Sequence, residues 1–307
     1  MSSSQIVLSV DIGATSTKAA ALASSGELHF ISAIPTLPGA DRFLNELLNL
    51  ITQTADRVQS AYGPGLNKLG VAVAGFLDPS RSHLLYNPNI AWLEKVPLRD
   101  HIQRLTNFDV QLEVDSNAAA IAEHRLGVGR GKSRFLCLTC GTGIGVGMVI
   151  DGKPLRFAYG CMGDAGHLVL QPDGPVCPCG GRGCAEILVS TVSLAATYQA
   201  LTNARQPVSF RQLVAESANG DPAARSVLAS AGEWLGIAAA SLANTFFPDG
   251  IAIAGGLSAA GDVVLQAARR SFEQSASTLA KTTAELQLAK LGAQAPLIGA
   301  GGQFWDT

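Results

Sequence analysis

The sequence predicts an α/β protein of two lobes, and three observations carry that prediction. A pair of apolar strands brackets a polar, glycine-bearing loop near the start, a second such pair recurs in the second half, and helical stretches rich in alanine and leucine follow. At 307 residues the chain exceeds the usual single-core size, so two lobes with room for a cleft are expected. No linker or low-complexity segment separates the halves. The expected division gives residues 1–115 to a smaller N-terminal lobe, completed by a C-terminal helix at 297–307, and residues 116–296 to a larger C-terminal lobe.

The elements follow in order. Ile6 to Val10 is a β-branched strand running into Asp11-Ile12-Gly13-Ala14-Thr15-Ser16-Thr17-Lys18. A second strand, Ala19 to Ala23, closes the hairpin before the turn Ser24-Ser25-Gly26. Phe43, Leu44, Leu47, Leu48 and Ile51 recur at helical spacing within 41–60, and Leu69 to Ala74 is the next strand, so the unit reads strand, strand, helix, strand. A proline-bearing loop around Asn87-Pro88-Asn89, an amphipathic stretch from Leu98 to Leu105 and a strand from Val110 to Val114 come next. Asp115-Ser116-Asn117 then opens an alanine-rich helix.

The second half restarts with a strand from Arg134 to Thr139, the loop Cys140-Gly141-Thr142-Gly143-Ile144-Gly145 and a strand from Val146 to Ile150. Gly160 to Cys184 shows little periodicity, and irregular backbone of that length needs an anchor. Long helices fill 188–247. A strand from Ile251 to Ala254 runs into Gly255-Gly256-Leu257-Ser258, and a helix, the strand Glu285 to Leu288 and Pro296-Leu297-Ile298-Gly299-Ala300 close the chain.

Composition narrows the function. Hydrophobic residues make up 47%, charged residues 15%, and the net charge is −2, which describes a well-buried globule and does not point to nucleic acid. Met1-Ser2-Ser3-Ser4-Gln5 lacks the basic start and apolar core of a signal peptide, and no apolar run approaches the ~20 residues that span a bilayer, so a cytoplasmic protein without a membrane partner is expected. Of six cysteines, Cys177, Cys179 and Cys184 crowd together, a pattern that in a reducing compartment points to metal rather than disulfide. Cys137, Cys140 and Cys161 lie in apolar or glycine-rich surroundings and read as small core residues.

The first loop offers a carboxylate, a glycine and three hydroxyls at a hairpin tip, a set suited to a phosphate. Alone it reads equally as a polar turn, and it is no P-loop, since Gly-Lys-Ser/Thr is missing. The second loop, Gly141-Thr142-Gly143, shifts the balance. Two phosphate-cradling hairpins, one per half, are the plan of the actin-like ATPase (ribonuclease H-like) fold.

His167 followed by Cys177-Pro178-Cys179-Gly180-Gly181-Arg182-Gly183-Cys184 offers one imidazole and three thiolates. Three sulfurs and one nitrogen make a closed tetrahedral zinc site with no position left for water, so the metal is read as structural. Taken together, the paired loops and this cluster resemble the ROK family (repressor, open reading frame, kinase) of sugar kinases and repressors over nearly the whole chain.

The resemblance implies ATP-dependent phosphorylation of a sugar hydroxyl. The acceptor would be a hexose such as glucose or mannose, or an N-acetylhexosamine. It implies that Asp11, Gly13, Thr15, Thr17 and Lys18, with Gly141, Thr142 and Gly143, embrace the ATP phosphates, and that Gly255 and Gly256 match the adenosine-side glycine pair. Mg²⁺ is expected with ATP, with Asp11 an outer-shell partner. Asp115 corresponds to the catalytic base, whereas on residues alone it also reads as a helix cap. A carboxylate at a helix N-terminus is expected to stay ionised.

In related kinases the equivalents of Glu186 and His167 touch the sugar. Asp164 and Glu186 flank the zinc loop and read either as sugar ligands or as surface or metal-supporting acids. Gly75 and Asn89 match positions lining the sugar pocket; without the resemblance they are a turn and a loop cap. Similar proteins are usually homodimers.

Two positions depart from the family pattern. Val114 stands where the kinases carry Asn, removing a hydrogen bond to substrate, and Asp164 stands where they carry Glu, drawing the carboxylate back by ~1.5 Å. Because a buried unpaired hydroxyl costs about 1–3 kcal/mol, an altered acceptor is expected: another hexose, an amino sugar, or a polyol or cyclitol. A ROK-type repressor would carry a DNA-binding module ahead of the first loop, which here begins at Asp11. A sugar-sensing protein with weak catalysis is the further alternative, and retention of Asp115 argues against it.

Overall fold

The computed structural model describes residues 6–305. Met1 to Gln5, read above for a targeting signal, and the last two residues of the expected terminal helix lie outside the described residues. The chain forms two units. One comprises the chain up to Leu126, Lys153–Gly163 and the end from Gln294; the other comprises Gly127–Gly152 and Asp164–Ala293.

The first unit begins with β1 (Ile6–Ile12), β2 (Ser16–Ala23) and β3 (Leu28–Pro35), continues through α1 (Ala40–Tyr62), β4 (Lys68–Val73), β5 (Phe76–Leu77), β6 (Leu84–Tyr86), α2 (Leu98–Thr106) and β7 (Asp109–Val114), and reaches α3 (Asp115–Leu126). Its sheet has the order β3-β2-β1-β4-β7; the first three strands are antiparallel and β4 and β7 join β1 in parallel. Sequence reading misses β3 because it is a half-exposed edge strand without a continuous apolar run. α1 lays Phe43, Leu47 and Ile51 into a core with Leu8, Ile12 and Leu69, where each fully buried side chain contributes about 1.5–3 kcal/mol.

The second unit contains β8 (Arg134–Cys140) and β9 (Ile144–Ile150), an antiparallel hairpin. After it come β10 (Lys153–Pro154), in the segment assigned to the first unit, then α4 (Ala185–Val189), α5 (Thr191–Thr202), α6 (Phe210–Ala218), α7 (Pro222–Phe246), β11 (Gly250–Ala254), α8 (Asp262–Ser275), α9 (Thr278–Thr283) and β12 (Glu285–Leu288). Within this unit the strand order is β9-β8-β11-β12, with β11 parallel to both neighbours. By length and composition α7 would suffice to cross a bilayer, although Arg225 and Glu233 interrupt it and leave no unbroken apolar run of ~20 residues. It is a core helix packed along α8, with most of its apolar residues buried.

The chain closes with α10 (Ala295–Gly302), which starts before the expected 297 and stops at a glycine pair. This helix explains why the first unit extends to Leu126 and not to 115. Ala72, Ala118 and Ala300 form a cluster of small buried residues, and a Cβ built at Gly299 would overlap the carbonyl of Ala118, so α3 and α10 touch backbone to backbone.

Candidate active site

In the first unit the β1–β2 hairpin sets Asp11 opposite Lys18, and the Gly13 amide donates to the Ser16 carbonyl at 3.2 Å. Burial pushes the Asp11 carboxyl up to about 6, and Lys18 pulls it partly back. Thr15 is exposed at the tip. Strand alternation turns Thr17 inward, where it is fully buried and its hydroxyl lies 2.8 Å from that of Thr36, so its side chain braces the hairpin that carries the loop.

Asp115 opens α3 with no loop after β7, and its Oδ1 accepts from the Ser116 amide at 2.7 Å. Burial first, then the negative charge of Asp11, push its carboxyl up to about 7. Burial outweighs the backbone donors of the helix start, so the carboxyl gives up its proton less readily than that position alone would make it. Gly75, at φ 112°, leaves space that a Cβ would take from Tyr86 and Asn87. Asn87, passed over in the sequence, ties both predicted pocket residues. Its Nδ2 donates to the Ala74 carbonyl at 3.0 Å, and its Oδ1 accepts from the Asn89 amide at 2.9 Å, leaving Asn89 exposed.

In the second unit the Gly-Thr-Gly loop caps the β8–β9 hairpin, closed by the Gly141 amide donating to the Gly143 carbonyl at 2.9 Å. Thr191 secures it: its amide and hydroxyl donate to the Gly141 carbonyl at 2.8 and 3.0 Å. Gly255, at φ 80°, lies against the backbone of Cys140, and a Cβ at Gly256 would be 3.4 Å from Thr191 Cγ2. The two glycine loops of this unit are therefore packed on one another, with Thr142 exposed. Glu186, in α4, reaches the same loop, where its Oε2 accepts from the Ile144 amide at 3.0 Å and occupies the space a side chain at Gly143 would need.

The stretch that lacks periodicity is stitched by a 3₁₀ turn at Ala165–His167 and by bridges Val169↔Cys184 and Val176↔Arg182. These bring His167, Cys177, Cys179 and Cys184 together, with donor atoms within 4.8 Å of one another. The spacing fits a tetrahedral ion. With metal–sulfur and metal–nitrogen bonds of about 2.3 and 2.0–2.1 Å, a tetrahedral edge is about 3.8 Å between sulfurs and about 3.6 Å between sulfur and nitrogen. Cys179 and Cys184 Sγ are 3.7 Å apart, and Cys177 Sγ is 3.6 Å from His167 Nδ1. The donor set can hold zinc. On the other side of the ring, His167 Nε2 lies 3.7 Å from Asp164 Oδ2, near but outside hydrogen-bond reach.

These arrangements belong to a class that comparison makes specific: carbohydrate kinases on the actin-like ATPase fold. The ROK family profile matches residues 7–304, and the chain belongs to that family. A glucokinase of Halalkalibacterium halodurans is 30% identical over 308 residues, spanning 95% of this chain and 92% of its own. The crystal structure of a ROK family glucokinase from Streptomyces griseus, in complex with glucose and AMPPNP, superposes with a TM-score of 0.86 at 29% identity, covering 97% of this chain and 98% of that one. A xylose repressor of Bacillus spizizenii is 28% identical over 254 residues, which are 82% of this chain and 64% of its own length.

Proposed function

We propose that this protein transfers the γ-phosphoryl group of ATP to a hydroxyl of a sugar, a hexose or an N-acetylhexosamine, with Asp115 as general base. The observation that carries the reading is Asp115 itself, a carboxylate raised to about 7 at the head of α3 in the unit that also holds the Asp11 hairpin. A base poised near neutrality takes the acceptor proton as the oxygen attacks, and because phosphoryl transfer has a loose transition state, holding that oxygen in line matters more than base strength. The likeness over the full chain to a glucokinase bound to glucose and AMPPNP, an ATP analogue, supports both substrate and donor.

Asp11, Gly13, Thr15, Thr17 and Lys18 in the first unit, with the Thr17 side chain bracing the hairpin, and Gly141, Thr142, Gly143, Gly255 and Gly256 in the second, serve the nucleotide. Asp11 would support, from the outer shell, the Mg²⁺ expected to come with ATP, which would supply charge neutralisation at the phosphates. Gly75, Asn89, His167, Asp164 and Glu186 serve the acceptor. Zinc held by His167, Cys177, Cys179 and Cys184 has a structural role: with four protein ligands it anchors the irregular segment and supplies no open coordination position. The enzyme works in the cytoplasm, where these thiols stay reduced, as a homodimer.

A second reading concerns the acceptor. Val114 is buried at the end of β7, immediately before the proposed base, and presents no donor or acceptor. A polyol, cyclitol or sugar lacking the hydroxyl that an asparagine would bind suits that position better than glucose does. Release of ADP from MgATP, followed over hexoses, N-acetylhexosamines, ketoses, polyols and cyclitols, tests both readings. Turnover with at least one acceptor is expected, and none with any of them overturns the kinase assignment.

A further inference from the structure

Two residues before Asp115 lies a charged side chain in a place where charge is costly. Glu113 closes the apolar strand β7, and its side chain has no exposure to solvent. Its two oxygens are used differently. Oε1 accepts from the Val114 amide at 3.0 Å and from Asn117 Nδ2 at 2.9 Å, so one atom brackets Asp115 from both sides along the chain. Oε2 receives Arg156 through Nε at 3.0 Å and through Nη2, with Arg81 Nη1 at 3.4 Å. Asn117, also fully buried, spends the same amide nitrogen on the Gly160 carbonyl at 2.7 Å. Arg156 and Gly160 belong to the returning segment Lys153–Gly163, which has almost no regular structure of its own.

A buried ion pair is weak support for stability, since apolar residues of similar volume commonly do as well. Among the described residues Asn117 Oδ1 is buried without a hydrogen-bond partner, a further cost. Such a network, centred on the junction that carries one particular carboxylate, is accounted for by placement.

We infer that Glu113 is a positioning residue: it locks the β7–α3 junction from within and clamps segment 156–160 against it, so that Asp115 is held at a fixed place and angle. The inference rests on the reading of Asp115 as the general base. Arg156 is the outer jaw of the clamp, with its side chain 31% exposed, and Asn117 is the hinge between junction and segment. Glu113 touches neither substrate nor nucleotide in this role. It acts through Asp115.

The test compares Glu113→Gln, Arg156→Gln and Arg156→Lys with the wild-type chain. Glutamine keeps the volume at 113 but in either orientation sets its NH₂ group against donors, the guanidinium groups on one side or the Val114 amide and Asn117 Nδ2 on the other. The expected result for Glu113→Gln is a fall in kcat per folded molecule of about tenfold or more, with KM for MgATP within about twofold. Arg156→Gln is expected to fall in the same direction, and Arg156→Lys, which keeps a cation for Oε2, to recover most of the loss. A purely stabilising network would lower Tm and leave kcat per folded molecule unchanged, and that result overturns the inference. Where Glu113→Gln does not fold, the two Arg156 variants decide on the same criterion.

Amide hydrogen exchange supplies a readout independent of turnover. Exchange is expected to quicken selectively at 114–118 and 157–161 in Arg156→Gln; unchanged or uniformly quickened exchange overturns the clamp. If the wild-type chain phosphorylates no acceptor, the proposed function fails by itself, and the exchange comparison still decides whether Glu113 and Arg156 hold this junction.

Discussion

The carboxyl of Asp115 sits at about 7, raised by its burial and then by the charge of Asp11 in the same unit. A base must be deprotonated to act, so kcat/KM is expected to fall on the acid side with a midpoint near that value. Removing the Asp11 charge takes away the second cause. Asp11→Asn, whatever it does to the height of the profile, is expected to move this acid limb to lower pH. A pH series of initial rates checks it, and an unmoved limb would show that the two carboxylates are not coupled.

The same shift has a sign for stability. The folded chain holds the Asp115 proton more tightly than the unfolded chain, whose carboxyl has its ordinary value of 3.8, so the contribution is fully present below that value and is lost as pH rises through about 7. At about pH 8 the buried carboxylate is a burden that Asp115→Asn does not carry. That variant is expected to abolish turnover while melting higher than the wild type at this pH, by about 2–4 °C for each kcal/mol recovered, with the difference closing towards pH 5. Melting curves at both pH values check it.

Cys179 is the exposed member of the four-donor cluster, so its loss damages the metal site with little effect on core packing. Cys179→Ser is expected to leave the purified protein without its zinc and with a lower Tm, because three ligands no longer close a tetrahedron that anchors residues without secondary structure. Metal content by atomic absorption checks the first half. Zinc retained at one per chain would remove the cluster from the account.

At the contact between α3 and α10, a methyl group has nowhere to go. Gly299→Ala is expected to cost about 3 kcal/mol or more, above the usual range for overpacking because the atom met is a backbone carbonyl and not a movable side chain. Urea denaturation measures it.

Much of this molecule was legible in its sequence. The two hairpins, the helix over 40–62, the parallel strands and the Cys/His cluster each leave a local signal, whether an apolar run, a 3.6-residue period or ligand spacing. What was not legible depends on partners distant along the chain. β3 is an edge strand recognised by pairing with β2 and not by its own residues. The hydroxyl pair of Thr17 and Thr36, which lies in the loop after β3, joins residues that share no local signal. The lobe boundary moved because α3 meets α10 through bare backbone, which small residues permit but do not announce. Glu113 did leave a trace, a carboxylate inside an apolar strand, whereas its arginine partners lie 32 and 43 positions away and share no motif with it.

The tie between Glu186 and the Gly-Thr-Gly loop yields a prediction that separates geometry from chemistry. Glu186 Oε2 holds the Ile144 amide at 3.0 Å and fills the space beside Gly143, whereas a Cβ at Gly141 meets nothing within 4 Å among the described residues. In Gly143→Ala the new methyl must displace the carboxylate, which swings away at little cost because it ends a flexible side chain. Stability is therefore expected to change by less than about 1 kcal/mol. If the held position of Glu186 serves the acceptor, KM for the sugar rises in Gly143→Ala and much less in Gly141→Ala. The decisive measurement is the double variant with Glu186→Ala. Once the carboxylate is gone, the methyl has nothing left to displace among the described residues, so Gly143→Ala is expected to add no further rise to the sugar KM of Glu186→Ala, and additive effects would show that Gly143 acts independently of Glu186.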